Sequence, residues 1–364
     1  MNEDRAKVLV VVRSDSLRKN GGDYQVMRTF AAEIENEHGA EICYGVPSGD
    51  QIASADAVLC TNLDRPIEAL HTLRICQAAD VPFLLYTLHH PHDGIESYLR
   101  SGARGFKRGA AVAARFNAPM YEQILWGIRT VVTLASEKQL LPQGSVSSAQ
   151  RELLRESDVI VCSSVNEAET LRSDVANFPA FQVVPHPADA PSAKSNVTYV
   201  PNRVVIAGRI EARKNQINAL HIARELPFLD FEFVGGKVES ESRYFEEFEA
   251  LLRETPNANY TAALPKEDFY PFLQSAELVL NPSFFEVTSL IDVFCTENNI
   301  PLVTTSHTYL RANGCFRTVD PAQPSEVAQN IRSCVAQSRE EGRKVFPVMD
   351  EQATTISALV SALV

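Results

Sequence analysis

The chain has 364 residues, a formal net charge of −12, and 45% hydrophobic against 22% charged residues. That length exceeds one ordinary hydrophobic core and suits two domains of about 150 to 200 residues each. The acidic balance argues against a nucleic-acid partner, whose phosphates are held by a basic surplus, and no apolar run approaches the ~18 residues of a membrane-spanning helix.

From the N-terminus, an acidic flank runs straight into Val8–Val12, which is too short an apolar run for a signal peptide. The seven cysteines, Cys43, Cys60, Cys76, Cys162, Cys295, Cys315 and Cys334, are odd in number, scattered, and form no C-x-x-C or His-spaced metal pair. They read as buried small hydrophobes, and the expected location is cytoplasmic.

Short apolar runs alternate with longer amphipathic segments, which predicts β-α-β units and parallel sheets. The expected strands of the first half are Lys7–Val12, Glu41–Tyr44, Ala57–Cys60, Phe83–Leu88, Thr130–Leu134, Asp158–Cys162 and Phe181–Val184. Those of the second half are Arg203–Ala207, Asp230–Val234, Tyr260–Leu264, Leu278–Asn281, Pro301–Thr305 and Thr318–Val319. A Pro-, Ser- and Ala-rich tract without apolar period lies between them, so the expected domains are 1–190 and 199–364, joined by a linker at 185–198. The fold class is α/β, with two Rossmann-like doubly wound sheets and a cleft facing the C-terminal ends of their strands. The segment 350–364 reads as a terminal helix, either crossing back to the first domain or packed on its own.

The most informative stretch is Ala207-Gly208-Arg209-Ile210-Glu211-Ala212-Arg213-Lys214-Asn215-Gln216, directly after the apolar run Arg203–Ile206. A strand ending at Gly208 and a helix opening near Lys214 place Arg209 and Lys214 beside a helix N-terminus, where free N–H groups and the dipole favour an anion. Arg209 offers a planar fork for phosphate oxygens and Lys214 a point charge. By itself this pattern is equally compatible with a solvated basic turn.

The order of motifs settles on a resemblance. Gly21-Gly22 follows the first strand and Thr87-Leu88-His89 ends the fourth. Ser157–Ser164, Val184-Pro185-His186-Pro187, Gly208-Arg209 with Lys214, Val234-Gly235-Gly236 and Pro282-Ser283-Phe284-Phe285-Glu286 come after them. In this order and spacing the chain resembles the retaining nucleotide-sugar glycosyltransferases of family 4, with the GT-B fold, from about residue 7 to about residue 330.

That resemblance implies roles. The donor, a nucleoside diphosphate sugar, would be touched by Gly21, Gly22, Gly208, Gly235 and Gly236, where a missing side chain lets backbone come close to a ligand. Arg209 and Lys214 would hold the diphosphate and stabilise its charge as the glycosidic bond breaks, with neither a metal nor a further cofactor. His89 would contact the donor sugar near the reacting centre, with the neighbouring His90 as the other candidate. Glu286 would accept hydrogen bonds from sugar hydroxyls, and Thr288, Ser289 and Leu290 would offer backbone N–H groups. No zinc site is expected, because Leu88-His89-His90-Pro91-His92-Asp93 packs its imidazoles into one turn without an identifiable remote fourth ligand.

One departure concerns the nucleoside. The family carries a second glutamate eight residues after the first, gripping the ribose, and here that position is Phe294. Either Asp292 or Glu297 replaces it, or Phe294 stacks on the ribose, or the donor has a deoxyribose, as in a deoxythymidine diphosphate sugar. A second clue is Ser97–Asn117, with Arg100, Arg104, Lys107, Arg108 and Arg115 and no acid. In the first, acceptor-binding domain this reads as a peripheral contact with anionic membrane, a phosphate-bearing acceptor, an oligomer contact or a solvated face. The expected activity is retaining transfer of a hexose or deoxyhexose to a glycan or lipid-linked glycan. An inverting transferase, a sugar-nucleotide epimerase, and a non-catalytic nucleotide-sugar-binding partner stay open beside it.

Overall fold

A computed structural model describes residues 5–17, 21–135, 144–178, 180–187, 197–348, 350 and 353–364. The chain divides into two compact units: residues 1–92, 118–189 and 349–364 form the first, and 93–117 with 190–348 form the second.

In the first unit the strands are β1 (Lys7–Val12), β2 (Gly39–Tyr44), β3 (Ala57–Thr61), β4 (Phe83–Tyr86), β5 (Val159–Cys162) and β6 (Gln182–Val183). They make one parallel sheet in the order β2-β1-β3-β4-β5-β6. Val8–Val12 of β1 and all of β3 are buried, as a sheet covered by helices on both faces requires. The crossover helices carry local stop and start signals: Ser48 and Gln51 form a capping box before Gly49–Ala53, and Pro66 occupies the first turn of Pro66–Ala79.

The second unit holds β7 (Arg203–Ala207), β8 (Asp230–Val234), β9 (Ala258–Thr261), β10 (Leu278–Asn281), β11 (Leu302–Thr305), β12 (Ala312–Gly314), β13 (Phe316–Val319) and β14 (Val345–Pro347). Six of them form a parallel sheet in the order β13-β11-β10-β7-β8-β9, and β12 pairs antiparallel with β14. Strand order reverses between β7 and β10 here, and between β1 and β3 in the first unit. Crevices at the C-terminal ends of such strand pairs are where open α/β sheets take ligands.

Three expectations change, and one alternative left open is decided. Thr130–Leu134 is no strand but the end of an 18-residue helix, Ala118–Ala135; a short apolar run has no period long enough to separate the two states. The short β12 and β14 gave no such run and were missed. Residues 93–117 were expected in the first domain and pack in the second unit, while Met349–Val364 packs in the first. Of the expected linker, residues 188–196 lie outside the described residues.

Candidate functional site

In the second unit the C-terminal ends of β7, β8 and β10 bring together Gly208, Gly235 and Glu286. Gly208 is followed by Arg209, Ile210 and Glu211, then a single 3-10 turn, Ala212–Lys214. Asn215 takes a left-handed conformation at φ 59°, tolerated by its short polar side chain, and donates from Nδ2 to the Pro321 carbonyl. The following helix is Gln216–Glu225, so its N-terminus lies two residues past Lys214. Gly235 fits because a Cβ there would lie 1.9 Å from the Gly208 oxygen. We expect Gly235→Ala to push the two loops apart and weaken UDP, GDP and dTDP binding alike, by about tenfold or more in calorimetry, with the circular dichroism spectrum unchanged.

Lys214 is ion-paired with Glu286 through Nζ and Oε1, and its stem runs beside Gly208. Arg213, which the sequence reading passed over, is the staple between the loops after β7 and β10. Its carbonyl accepts from Phe284 N at 2.9 Å, and its Nη1 donates to the Phe285 carbonyl at 3.1 Å and stands 3.4 Å from Glu286 Oε2. Its Nη2 lies 3.3 Å from Glu211 Oε1, which also takes Arg209 Nη2 at 3.3 Å. Burial opposes the charge on Glu286, but Lys214 first and Arg213 next outweigh it and bring its acid group down to about 2. Glu211 is likewise held below the usual carboxylate range, burial being overcome by Arg213, Arg209 and Lys214. Both carboxylates are therefore ionised at neutral pH, and the group sets three basic side chains against these two acids, a surplus that suits an anion.

The helix behind Glu286 is Leu290–Glu297, with Ser289 as its cap: the Ser289 hydroxyl accepts from Asp292 N. Thr288 and Ser289 thus stand just before its first turn, and Leu290 opens it. Phe294 does not face a ligand. It is 2% exposed, with its ring 4.7 Å from that of Tyr270, so no face is left for a ribose. Asp292 is also withdrawn: its carboxylate accepts from Asn281 Nδ2 at 3.0 Å and Thr304 Oγ1 at 2.6 Å, and burial lifts its acid group to about 6 against the Thr304 bond. Glu297 stands exposed at the last position of the helix, about 10 Å of helical rise from its N-terminus.

Residues 93–117 pack against the Phe284–Glu286 loop. A Cβ on Gly102 would lie 2.3 Å from the Phe284 ring, and Tyr98 sits edge-on to Phe284 at 5.7 Å. Four of the five basic residues of this segment have partners within the protein, and Arg115 is exposed. Lys107 pairs with Glu241, Arg104 faces Glu247 at 3.8 Å, Arg100 bonds Glu96 at 2.8 Å, and Arg108 donates to the Leu99 and Arg100 carbonyls. Phe106 and Val112, 67% and 56% exposed, are the apolar groups it presents to solvent.

In the first unit Gly21 caps the helix Gly22–Ile34, and among the described residues a Cβ on Gly22 would meet nothing within 4 Å, so no packing there demands that glycine. His89 lies past the end of β4, beyond Leu88, which is bent into the left-handed region at φ 48°. Its ring is wholly buried: Nδ1 donates to Asp64 at 2.8 Å and Nε2 to Asp174 at 3.1 Å. Burial disfavours the imidazolium, but Asp64 outweighs it and, with the Asp174 bond, lifts His89 to about 10. Both ring nitrogens are committed, so a sugar contact from this ring is not what the structure presents. His90, half-buried, donates Nδ1 and backbone N to Asp64. No helix among the described residues is long and apolar enough to cross a membrane, and all seven cysteines are buried and unpaired.

No family model matches the chain, and no curated protein does. Solved structures do. Sucrose-phosphate synthase from Thermosynechococcus elongatus is similar with a TM-score of 0.63 at 11% identity, over 99% of this chain and 95% of that one. HepE of Anabaena, solved in complex with UDP and glucose, is similar at 0.56 and 12%, over 98% and 95%. WaaG, a glycosyltransferase involved in lipopolysaccharide biosynthesis, is similar at 0.54 and 10%, over 98% and 99%.

The fold is GT-B. Within this GT-B chain the second unit gathers Gly208, Gly235, Gly236, Arg209, Lys214, Glu286 and Ser289 at the ends of adjacent strands, and Arg213 and Glu211 join them. It excludes Phe294 and Asp292. A sequence signal for Arg213 existed only as one basic residue among three in ten; for Asp64 and Asp174, far from His89 in the chain, there was none.

Proposed function

We propose that the protein is a glycosyltransferase that moves a hexose or deoxyhexose, with retention of configuration, from a nucleoside diphosphate sugar to a glycan or lipid-linked glycan. The observation that carries this reading is the Arg209, Arg213 and Lys214 group at the switch point between β7 and β10, facing the Gly208 and Gly235 backbones. A diphosphate arriving there would take Arg209 and Lys214 as its cations, drawing Lys214 off Glu286 and leaving that carboxylate free to accept from sugar hydroxyls, while Arg213 keeps it ionised.

As the glycosidic bond breaks, negative charge grows on the departing phosphate, and fixed cations in a water-poor site stabilise it more than they stabilise the intact donor. Retention would follow from attack on the face the phosphate leaves, with that phosphate accepting the acceptor proton, so no protein base is assigned. Arg209 and Lys214 supply the charge needed, and a divalent ion is not part of this reading.

The nucleoside is constrained by what the helix Leu290–Glu297 lacks. Phe294 and Asp292 are both turned inward, and Glu297 is at the far end. No carboxylate there stands ready for a ribose hydroxyl, which supports a deoxyribose donor. Thermal-shift titrations with UDP, GDP and dTDP test this, and preference for a ribonucleotide sinks it. Proton NMR of the anomeric signal in the transfer product tests retention; an inverted product overturns it, and nucleotide binding without turnover of any sugar donor favours a binding module.

A further inference from the structure

Outside the cation group, the first unit holds a cluster that the reading above does not use. His89 Nε2 lies 3.1 Å from Asp174 Oδ2, and His92 Nδ1 lies 3.8 Å from the same oxygen. Taking one ligand atom from each of these three residues, all lie within 4.8 Å of one another. Asp174 is the remote ligand that the local sequence around His89 does not contain.

We propose that His89, His92 and Asp174 bind a divalent transition-metal ion, with zinc as the matching case, which ties the loop after β4 to the end of the helix Val165–Asp174.

Four features support the site. The first is spacing: zinc bonds imidazole nitrogen and carboxylate oxygen at about 2.1 Å, which makes the edges of a tetrahedron about 3.4 Å, and the two measured edges fall on either side of that length. The longer one exceeds a hydrogen bond, and the His92 backbone N–H, which donates to the same Asp174 oxygen at 2.9 Å, holds the two residues together.

The second is the outer shell. Behind His89, Asp64 Oδ1 lies 2.8 Å from Nδ1, a hydrogen bond; Glu122 Oε2, 3.9 Å from His92 Nε2, is beyond the reach of one. Carboxylates behind histidines orient metal-binding rings and raise their basicity.

The third is the placement of Asp174. It ends a helix, where the dipole favours a cation, and a bound ion would displace the proton that His89 Nε2 shares with Asp174. The fourth is access, since His89 is sealed but His92 and Asp174 keep 13% and 16% of their side chains open to solvent.

The donor set also identifies the ion. Two imidazoles and one carboxylate suit zinc and its neighbours, whereas a magnesium ion on a diphosphate takes oxygen ligands and water. This site is therefore distinct in kind from a metal that would serve the donor, and it stands whether or not the transfer reading holds.

The experiment uses the full chain purified without a polyhistidine tag. Zinc content is measured by atomic emission, then the protein is stripped with EDTA and titrated with zinc chloride by calorimetry and with cobalt chloride by visible absorption. The expected result is one ion per chain, cobalt bands of four-coordinate intensity, and at least about 100-fold weaker zinc binding in His92→Ala and in Asp174→Asn. Wild-type protein that takes up no zinc overturns the proposal. So does uptake unchanged in Asp174→Asn, which keeps the shape of the carboxylate and serves if His92→Ala does not fold.

Discussion

Replacing Lys214 by alanine is expected to lower kcat for transfer by about 10²–10³, the usual cost of losing one charge-stabilising donor in an active site. The ammonium, held by Glu286 beside the Gly208 backbone, would pass to the diphosphate as the donor binds, so its charge is in place before the bond breaks. The same change leaves Glu286 buried with Arg213, at 3.4 Å, as its neighbouring cation, and breaking a buried pair from one side typically costs about 3–5 kcal/mol. Here Arg213 offsets part of that, so a loss of about 2 kcal/mol is expected. The double variant Lys214→Ala with Glu286→Gln separates the two effects: it should recover the stability, read by urea denaturation, and none of the turnover, read by donor consumption. A fall in kcat below tenfold in Lys214→Ala means that the lysine serves the fold alone.

Glu167→Ala is expected to be the most destabilising single change in the first unit. This wholly buried carboxylate accepts four hydrogen bonds: Thr87 Oγ1 at 2.7 Å, His89 N at 2.8 Å, and Ser163 N and Oγ, each at 2.7 Å. It thereby ties the loop after β4 to the loop after β5. Truncation strands two backbone N–H groups and two hydroxyls in the interior, where each unmet donor costs about 1–3 kcal/mol. We expect a loss of about 4 kcal/mol and a fall of about 10 °C in Tm by calorimetry. Glu167→Gln, which keeps one acceptor oxygen, should lose about half as much. A Tm shift below 2 °C in Glu167→Ala would show that water replaces the carboxylate and that the loop is not held by it.

These two residues also mark how far the sequence could be read. Lys214 stood out because it follows a strand by a fixed short interval, and local order in the chain is what a sequence displays. Glu167 did not stand out: it reads as one acid in an ordinary helix, and only the approach of Thr87 and His89, 80 and 78 residues away, makes it the anchor of a loop. The exchange of residues 93–117 into the second unit has the same origin. Their basic residues stood out in the sequence, but nothing there showed that Tyr98 and Leu99 would be buried or that the Phe284 ring would cover Gly102.

The sequence by itself determined the alternation of strands and helices, the two-sheet α/β class, and the loops where glycines and cations follow strands, because each is written in periods of two to four residues or in short fixed spacings. The tertiary structure decided the partners. It set Lys214 on Glu286 and stapled both with Arg213, enclosed His89 between Asp64 and Asp174, and turned Phe294 and Asp292 into the interior. Those pairings join residues 11 to 85 positions apart, and burial, which fixes the strength of a charge and the open face of a ring, is a property of the packed chain and not of any segment.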